Sequence, residues 1–402
     1  MRRTLTIATI VILLIGVGVG IYFYFFAGTP SVSVGSFDGG GLPSAGQGGP
    51  LGAEGGLTGD ATAPTSGPVS VSARLVKISA GPVVLGEAVI NHKAVSASSS
   101  PETEVRFIER RSGNVFSYKI GAGALTRISN KTVPGIESAS WLPDASIAFV
   151  RYLSGTDLST INTYALPSNG LGGFFLPQNL SAVAVASTSI LSLSSGVNGS
   201  VASLSRTDGT RPATLFTSPL SALRVSFAGK SQYLAFTKPS ATLPGSAFLV
   251  DGTGRFSRIA GPKNGLVALA SPLGAWVLVS SVEDSALRME LVNAGTGESL
   301  LLPIATIADK CVWAADDSVF FCGVPQNPPL GRNYPDDWYQ GAVSFSDRLW
   351  KVQVSGRYAQ MVLDFSAETK ASLDAEALAV DPAGTTLVFI NKNDGSLWSY
   401  RL

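Results

Sequence analysis

The chain has 402 residues, of which 45% are hydrophobic and only 14% are charged, and it carries 44 glycines and 23 prolines. Many turn formers together with few charged side chains favour an all-β protein over a helical one. The formal net charge of +1 provides no basic surface of the kind that binds nucleic acid, so we exclude a nucleic-acid partner.

The first element along the chain is an uncharged, apolar segment at residues 4–26, preceded by Arg2 and Arg3. As a helix it would extend about 34 Å, which exceeds the roughly 30 Å of a bilayer core. The next basic residue is Arg74, and this asymmetry predicts a cytoplasmic N-terminus and a periplasmic or extracellular C-terminal part. A cleaved signal peptide is the alternative, but its apolar region is usually only about 7–15 residues long. We therefore predict a single-pass membrane anchor at residues 1–27.

The next segment, residues 28–68, consists mainly of Gly, Ser, Pro, Ala and Thr. A segment with so few large apolar side chains cannot bury enough surface to offset the entropy of folding. We predict a disordered, flexible linker that joins the anchor to a globular domain at residues 69–402.

A strand–turn–strand sequence pattern recurs along this domain. Its copies begin at residues 136, 180, 220, 265, 307 and 374, in steps of 40 to 45 residues except for the last step, which is 67. A second strand pair follows most copies, and four strands per repeat of this length are typical of a propeller blade. With residues 83–129 as a weaker first copy, the sequence predicts an all-β, seven-bladed, WD-repeat-like β-propeller. Six or eight blades are the alternatives.

The last repeat contains only three predicted strands before the chain ends at Leu402. Residues 73–79, which read ARLVKIS, form an apolar strand that belongs to no repeat. Pairing this strand with residues 396–402 would close the ring and remove two open sheet edges. We predict that closure.

The turns of these repeats resemble those of known propeller families. WLPDASIAF at residues 141–149, DPAGTTLVF at 381–389 and LVDGTGRFSRI at 249–259 resemble repeats of the periplasmic propeller of the Tol system. They also resemble repeats of the prolyl oligopeptidase and dipeptidyl peptidase propellers, although LPDAS lacks the usual glycine. The resemblance covers about residues 73–402. It implies an extracytoplasmic platform that binds proteins, usually without catalysis of its own.

Cys311 and Cys322 are the only cysteines, and they flank a predicted turn at residues 315–317 at similar distances. Opposed positions of a hairpin bring two Cα atoms to about 4.5–5.5 Å, within reach of a disulfide. An exported domain folds in an oxidising compartment. We predict a disulfide, with two buried thiols as the alternative.

Residues for catalysis or metal binding are scarce. A Ser–His–Asp triad would need His92, the single histidine, and the predicted propeller contains no G-x-S-x-G sequence. Two cysteines with one histidine cannot supply the four ligands of a structural zinc site. We predict no cofactor, no metal site and no enzymatic activity.

The long last step of the repeat arises from residues 325–345, between the second and third strands of blade 6. Tryptophan and tyrosine are enriched at interfaces, and loops on a rigid scaffold often carry recognition. The predicted binding residues in this loop are Tyr334, Asp336, Asp337, Trp338 and Tyr339. We expect residues 336–339 to contribute to binding and little to stability. In the alternative, Trp338 and Tyr339 fold back over the propeller while Asp336 and Asp337 cap a turn.

Together these features predict a membrane-tethered, extracytoplasmic propeller that binds an envelope protein or a surface polymer. The alternative is an exported hydrolase or lyase acting on polysaccharide or peptide. Carboxylates that converge in the central funnel would favour the enzyme. Small and aromatic side chains there would favour the scaffold.

Overall fold

The computed structural model describes residues 67–93 and 101–402. The predicted anchor, residues 1–27, and nearly all of the predicted linker lie outside the described residues. Within the described ranges, no helix has the length and hydropathy that a membrane crossing requires.

The described part of the chain folds into seven antiparallel sheets, which are the blades of a β-propeller. The chain begins with two short strands, β1 (Val69–Ser70) and β2 (Leu75–Lys77). Blade 1 follows with β3 (Ala88–His92), β4 (Glu102–Ile108), β5 (Val115–Lys119) and β6 (Ala124–Arg127). Blade 2 contains β7 (Ile136–Trp141), β8 (Ile147–Ser154), β9 (Thr160–Pro167) and β10 (Phe174–Phe175). Blade 3 contains β11 (Leu180–Val185), β12 (Ser189–Gly196), β13 (Gly199–Arg206) and β14 (Ala213–Ser218).

The remaining blades follow the same order from the inner strand outward. Blade 4 contains β15 (Leu223–Ala228), β16 (Gln232–Thr237), β17 (Gly245–Asp251) and β18 (Phe256–Lys263). Blade 5 contains β19 (Val267–Ala270), β20 (Trp276–Glu283), β21 (Ala286–Asn293) and β22 (Ser299–Leu301). Blade 6 begins after a 3-10 turn (Ala308–Lys310) with β23 (Cys311–Trp313), β24 (Val319–Pro325), β25 (Asp347–Gln353) and β26 (Tyr358–Asp364). Blade 7 contains β27 (Ala375–Val380), β28 (Thr386–Asn391) and β29 (Ser396–Arg401).

The ring closes as the sequence predicts. Strand β2 pairs with β29, with Leu75 opposite Tyr400 and Lys77 opposite Trp398. The N-terminal strand thus completes blade 7, to which β1 adds a fifth strand. Leu75 is fully buried, so closure adds core packing as well as hydrogen bonds. The predicted seven blades and the predicted closure are both confirmed.

Turn chemistry explains why hairpins form at these positions. At the outer turns of blades 3 and 4, Asp208 accepts a hydrogen bond from the Thr210 backbone N–H at 2.9 Å, and Asp251 accepts one from Thr253 at 2.8 Å. An aspartate that bonds the backbone two residues later mimics a turn and competes with strand extension. The chain therefore reverses direction at the repeated Asp-Gly and Asp-Gly-like turns.

The core consists of apolar layers between neighbouring blades. Between blades 6 and 7, Phe321, Leu349, Phe365, Leu387 and Phe389 share one cluster. Burial of such a side chain stabilises the fold by about 1.5–3 kcal/mol. The stability of each blade therefore depends on apolar packing against the blade beside it.

One side of the propeller carries the long insertion. Because the strands of a blade are antiparallel, the connection between its second and third strands lies at the same end as the connections between blades. We call this end the insert side, and we call residues 326–346, between β24 and β25, the insert. The insert contains α1 (Asp336–Tyr339), and α2 (Phe365–Thr369) leads from blade 6 to blade 7. Val69 pairs with Lys77, so the chain also enters the propeller on the insert side.

The predicted disulfide is present. Cys311 on β23 stands opposite Cys322 on β24, the two sulfurs are bonded, and the Cα atoms lie 4.1 Å apart. It joins the two innermost strands of blade 6.

Reduction of this disulfide is expected to lower the free energy of unfolding by about 2–3 kcal/mol, because a short loop in the unfolded chain is released. Chemical denaturation with and without a phosphine reductant measures the loss. A Cys311→Ala, Cys322→Ala double variant is the control, and its stability should not respond to the reductant. Equal sensitivity of the double variant would show that the reductant acts elsewhere.

Candidate functional site

The insert lies against the propeller with its large aromatic side chains turned inward. Tyr334 and Trp338 are only 2% and 3% exposed, and they share a hydrophobic cluster with Phe345. The rings of Trp338 and Phe345 stack with centroids 6.4 Å apart. Tyr334 donates a hydrogen bond from its hydroxyl to the Pro329 carbonyl at 2.7 Å. The insert is therefore a packed part of the domain.

Two carboxylates of the predicted site fix the backbone of the insert. Asp336 accepts a hydrogen bond from the Ala241 backbone N–H of blade 4 at 2.9 Å. Asp337 accepts one from the Asn333 N–H at 3.0 Å, which closes the turn before α1. The insert thus starts in blade 6 and is bonded to blade 4.

Tyr339 extends this connection at the surface. Its hydroxyl donates to Asp309 at 2.7 Å. The guanidinium of Arg224, on the inner strand of blade 4, donates to both oxygens of Asp309 at 2.7 and 3.0 Å. Tyr339 is 37% exposed, so this charged group can be reached from solvent.

The five predicted residues therefore lie together in the insert but do not share one exposed surface. Trp338 is buried and Asp337 closes a turn, as in the folded-back alternative, whereas Tyr339 is 37% exposed and Asp336 bonds blade 4. The packing of the Trp338 indole in the core argues against the expectation that this part of the insert contributes little to stability. A binding role of the insert stays a prediction. Unless the insert rearranges, only its exposed part can contact a partner.

Beneath the insert lies a buried charged site, which we call the Lys310 pocket. It is formed by Lys310 before β23, Asp347 at the start of β25, Asp374 directly before β27, and the insert residues Trp338 and Phe345. The side chains of Lys310, Asp347 and Asp374 are all 0% exposed. One cation and two carboxyl groups from blades 6 and 7 thus meet in the interior.

Lys310 reaches both carboxyl groups. Its Nζ lies 2.8 Å from Asp347 Oδ2 and in contact with Asp374 Oδ1. It also donates to the Ala375 carbonyl at 2.9 Å. Asp347 Oδ2 accepts from the Ala375 N–H at 2.7 Å, whereas Asp347 Oδ1 is buried without a hydrogen-bond partner among the described residues.

The insert supplies donors to the second carboxyl group. Asp374 Oδ2 accepts from Trp338 Nε1 at 3.0 Å and from the Phe345 backbone N–H at 2.9 Å. The rings of Trp338 and Phe345 also face Lys310, whose Nζ lies 4.9 and 5.2 Å from their centroids. The insert therefore both closes the pocket to water and completes its hydrogen bonds.

Burial sets the protonation of the pocket. It raises the pKa of Asp347 to about 6, against the lowering influence of Lys310. Burial alone lowers the pKa of Lys310, but the two carboxyl groups outweigh it, so the pKa is raised overall. The pocket holds a charged lysine beside a carboxyl group whose pKa is raised by burial.

The sequence did not lead us to the Lys310 pocket. Lys310 and Asp309 interrupt the otherwise uncharged run PIATIADKCVWA at residues 303–314. A lysine at the head of a buried strand is rarely left without a partner. Lys310 therefore indicated a buried ionic partner. The partners, Asp347 and Asp374, lie 37 and 64 residues away in sequence and are brought close only by the fold.

Exposed apolar side chains lie on the insert side of blades 3, 4 and 6. Val197, Leu243 and Leu330 are 101%, 69% and 89% exposed and stand in the connections between second and third strands. Leu220, which precedes the inner strand of blade 4, is 44% exposed. We call these four residues the apolar arc.

Two hydrogen bonds tie the segments of the apolar arc together. Ser200, beside the Val197 turn, donates from its hydroxyl to the Leu220 carbonyl at 2.7 Å. The bond from the Ala241 N–H to Asp336 joins the Leu243 connection to the insert. Hydrogen bonds therefore connect the arc segments of blades 3 and 4 with each other and with the insert of blade 6.

Two further carboxyl groups belong to the inner segments of blades 1 and 7. Burial raises the pKa of Glu87 well above its usual range, and Glu376 adds to the shift. Both Glu87 oxygens are buried without a partner in the described ranges, while Glu376 lies 3.6 Å from Lys392. Across residues 67–93 and 101–402, no group of three or more His, Cys, Asp or Glu is placed to hold a metal ion.

The blades and their closure define the chain as a seven-bladed β-propeller. No described protein family matches the sequence, and no curated protein matches it. Solved structures do match. An oligogalacturonate lyase from Vibrio parahaemolyticus covers 81% of this chain and 93% of its own, with a TM-score of 0.56 and 10% identity.

Two other solved structures are similar to this chain. Hydrazine synthase from Kuenenia stuttgartiensis covers 81% of this chain and 97% of its own, with a TM-score of 0.51 and 12% identity. TolB from Acinetobacter baumannii covers 79% of this chain and 80% of its own, with a TM-score of 0.43 and 11% identity. At such identities a likeness concerns the fold alone, and function must be argued from the residues of this chain.

Proposed function

We propose that this chain is a membrane-tethered, extracytoplasmic propeller that binds another envelope protein or a surface polymer. The observation that carries the proposal is the apolar arc. Exposed apolar side chains are usual when scattered singly, but several on neighbouring loops of one side suggest a contact surface. The partly exposed group of Tyr339, Asp309 and Arg224 lies on the same side and supplies the polar rim that such surfaces have.

The position of the chain entry supports the same side. Strand β1 begins on the insert side, so the chain that precedes Val69 leaves the propeller on the same side as the arc. A partner in or near the same membrane is then within reach of the arc. The uncharged segment and the charge asymmetry of the sequence are the support for the membrane tether.

The alternative, an exported enzyme that acts on polysaccharide or peptide, has one supporting feature in Glu87 and Glu376. Catalytic acids often have a raised pKa, as burial gives both of these carboxyls. A substrate would have to reach them, however, and the oxygens of Glu87 are shielded from solvent. We therefore favour binding over catalysis.

Replacing Leu243 and Leu330 together with aspartate is expected to reduce capture of a binding partner at least tenfold. Each leucine buried in an interface contributes about 1.5–3 kcal/mol, and about 1.4 kcal/mol corresponds to a factor of ten. A photo-reactive cross-linker placed at Tyr339 of the full-length chain in intact cells measures the yield of each cross-linked product.

The matched control is Leu171→Asp with Leu273→Asp. These leucines are 75% and 61% exposed, but they stand in connections at the opposite end of the blades. The control should leave the cross-linked product and the melting temperature unchanged. Equal loss of product in both double variants, or no loss in either, would rule out the apolar arc as the contact surface.

A further inference from the structure

We propose that Lys310 and Asp374 become joined by an intramolecular amide bond between Lys310 Nζ and Asp374 Cγ, which links blade 6 covalently to blade 7. Asp347 acts as the proton carrier, and Trp338 and the Phe345 backbone stabilise the reacting carboxyl group. The inference concerns the Lys310 pocket and does not depend on the binding role of the apolar arc.

The reactants are already in place in the fold. The amino group of Lys310 contacts one oxygen of Asp374, and both side chains are held by other bonds inside a closed interior. Holding two reactants in contact removes the entropy of bringing them together, which can be equivalent to an effective concentration of about 10⁵–10⁸ M. Exclusion of water also disfavours the reverse hydrolysis.

The carbonyl to be attacked has its own donors. Trp338 Nε1 and the Phe345 N–H both donate to Asp374 Oδ2, at 3.0 and 2.9 Å. Donors directed at this oxygen can stabilise the negative charge that develops on it in a tetrahedral intermediate. Because both donors come from the insert, the insert acquires a chemical role that its length alone did not reveal.

The steps balance in atoms and charge. Lys310 passes a proton to Asp374 Oδ1, and the resulting neutral amine attacks Asp374 Cγ, so that a C–N bond forms and negative charge develops on Oδ2. Asp347, whose Oδ2 lies 2.8 Å from Nζ, takes a second proton from the nitrogen. It returns this proton to Oδ1, the C–Oδ1 bond breaks, and one water leaves. Asp347 ends as it began, and no other reactant is consumed.

The pocket supplies hydrogen-bond partners for the product. Separate charges in a dry interior retain a large desolvation cost, and the amide removes one positive and one negative charge. The amide N–H keeps an acceptor in the Ala375 carbonyl, 2.9 Å from Nζ. The amide oxygen keeps the donors Trp338 and Phe345. Every polar atom of the new bond therefore has a partner.

Mass spectrometry of the full-length chain tests the proposal. After reduction and alkylation of the disulfide, a proteolytic digest should yield one branched peptide that contains Lys310 and Asp374 and is lighter than its two parts by one water. Trypsin should not cleave after Lys310, because an acylated lysine is not a substrate. Recovery of the linear peptide that ends at Lys310, with no branched product, would overturn the proposal.

Three variants test which side chains are required for formation of the amide bond. Asp347→Asn should abolish the branched peptide because the proton carrier is lost. Asp374→Asn should form the same amide by releasing ammonia, so its product should have the wild-type mass. Asp316→Asn, an exposed aspartate of the same blade, should leave the wild-type yield unchanged. A branched peptide at full yield in Asp347→Asn would contradict the assigned role of Asp347 as proton carrier. Whether the amide bond exists is decided by the wild-type digest.

Discussion

Replacing Trp338 with alanine is expected to lower the free energy of unfolding by about 3–5 kcal/mol, the usual cost of truncating a packed tryptophan. Trp338 is 3% exposed within the cluster that contains Phe345. Its loss also removes a hydrogen-bond donor to Asp374 and opens the Lys310 pocket to water. Thermal and chemical denaturation of the purified protein measure the change.

Two matched variants show where this loss arises. Trp338→Phe keeps most of the packing but removes the Nε1–H donor, and a lost hydrogen bond to a charged group costs about 1.5–3 kcal/mol. Tyr358→Ala truncates an aromatic residue that is 58% exposed on the outer strand of the same blade. It should change stability by less than about 0.5 kcal/mol. Similar melting temperatures for Trp338→Ala and Tyr358→Ala would mean that the insert is not packed in solution.

The repeats of this fold could be read from the sequence because their causes are local. Turn residues such as Asp251 bond their own backbone, and alternating apolar residues define the strands between them. The closing strand was also predictable, since Leu75 lies in an apolar strand for which the three-stranded last repeat had a vacant edge. These inferences needed only a count of strands and the physics of an unpaired sheet edge.

The role of the insert could not be read in the same way. Its composition, with Trp338 beside two aspartates, is equally suited to an interface and to a packed cap. Whether Trp338 is exposed or buried depends on Asp374 and Lys310, which stand in other segments of the chain. These two side chains meet Trp338 only after the blades have assembled. Composition identified the unusual segment, whereas the tertiary contacts decided which of its residues are buried.

Replacing Lys310 with methionine is expected to lower the free energy of unfolding by about 3–5 kcal/mol near pH 8, because removal of one partner leaves buried charge without compensation. The loss should be smaller near pH 4.5. Burial raises the pKa of Asp347 to about 6 even with Lys310 beside it, and removal of that cation raises the pKa further. The variant can then fold at low pH with Asp347 protonated.

The sign of this dependence follows from proton linkage. The pKa of an unfolded aspartate is about 3.9, so between that value and the raised native value the folded variant binds more protons than the unfolded chain. Its stability must therefore fall as the pH rises through this interval and level off above the native pKa. Urea denaturation of Lys310→Met at several pH values measures the slope, and Lys230→Met, at an exposed turn lysine, should lose less than about 0.5 kcal/mol at each pH. Because the slope belongs to a variant that cannot form the amide, it tests the buried carboxyl groups independently of the crosslink. A Lys310→Met protein with the same deficit at pH 4.5 and pH 8 would show that Asp347 and Asp374 are not desolvated in solution.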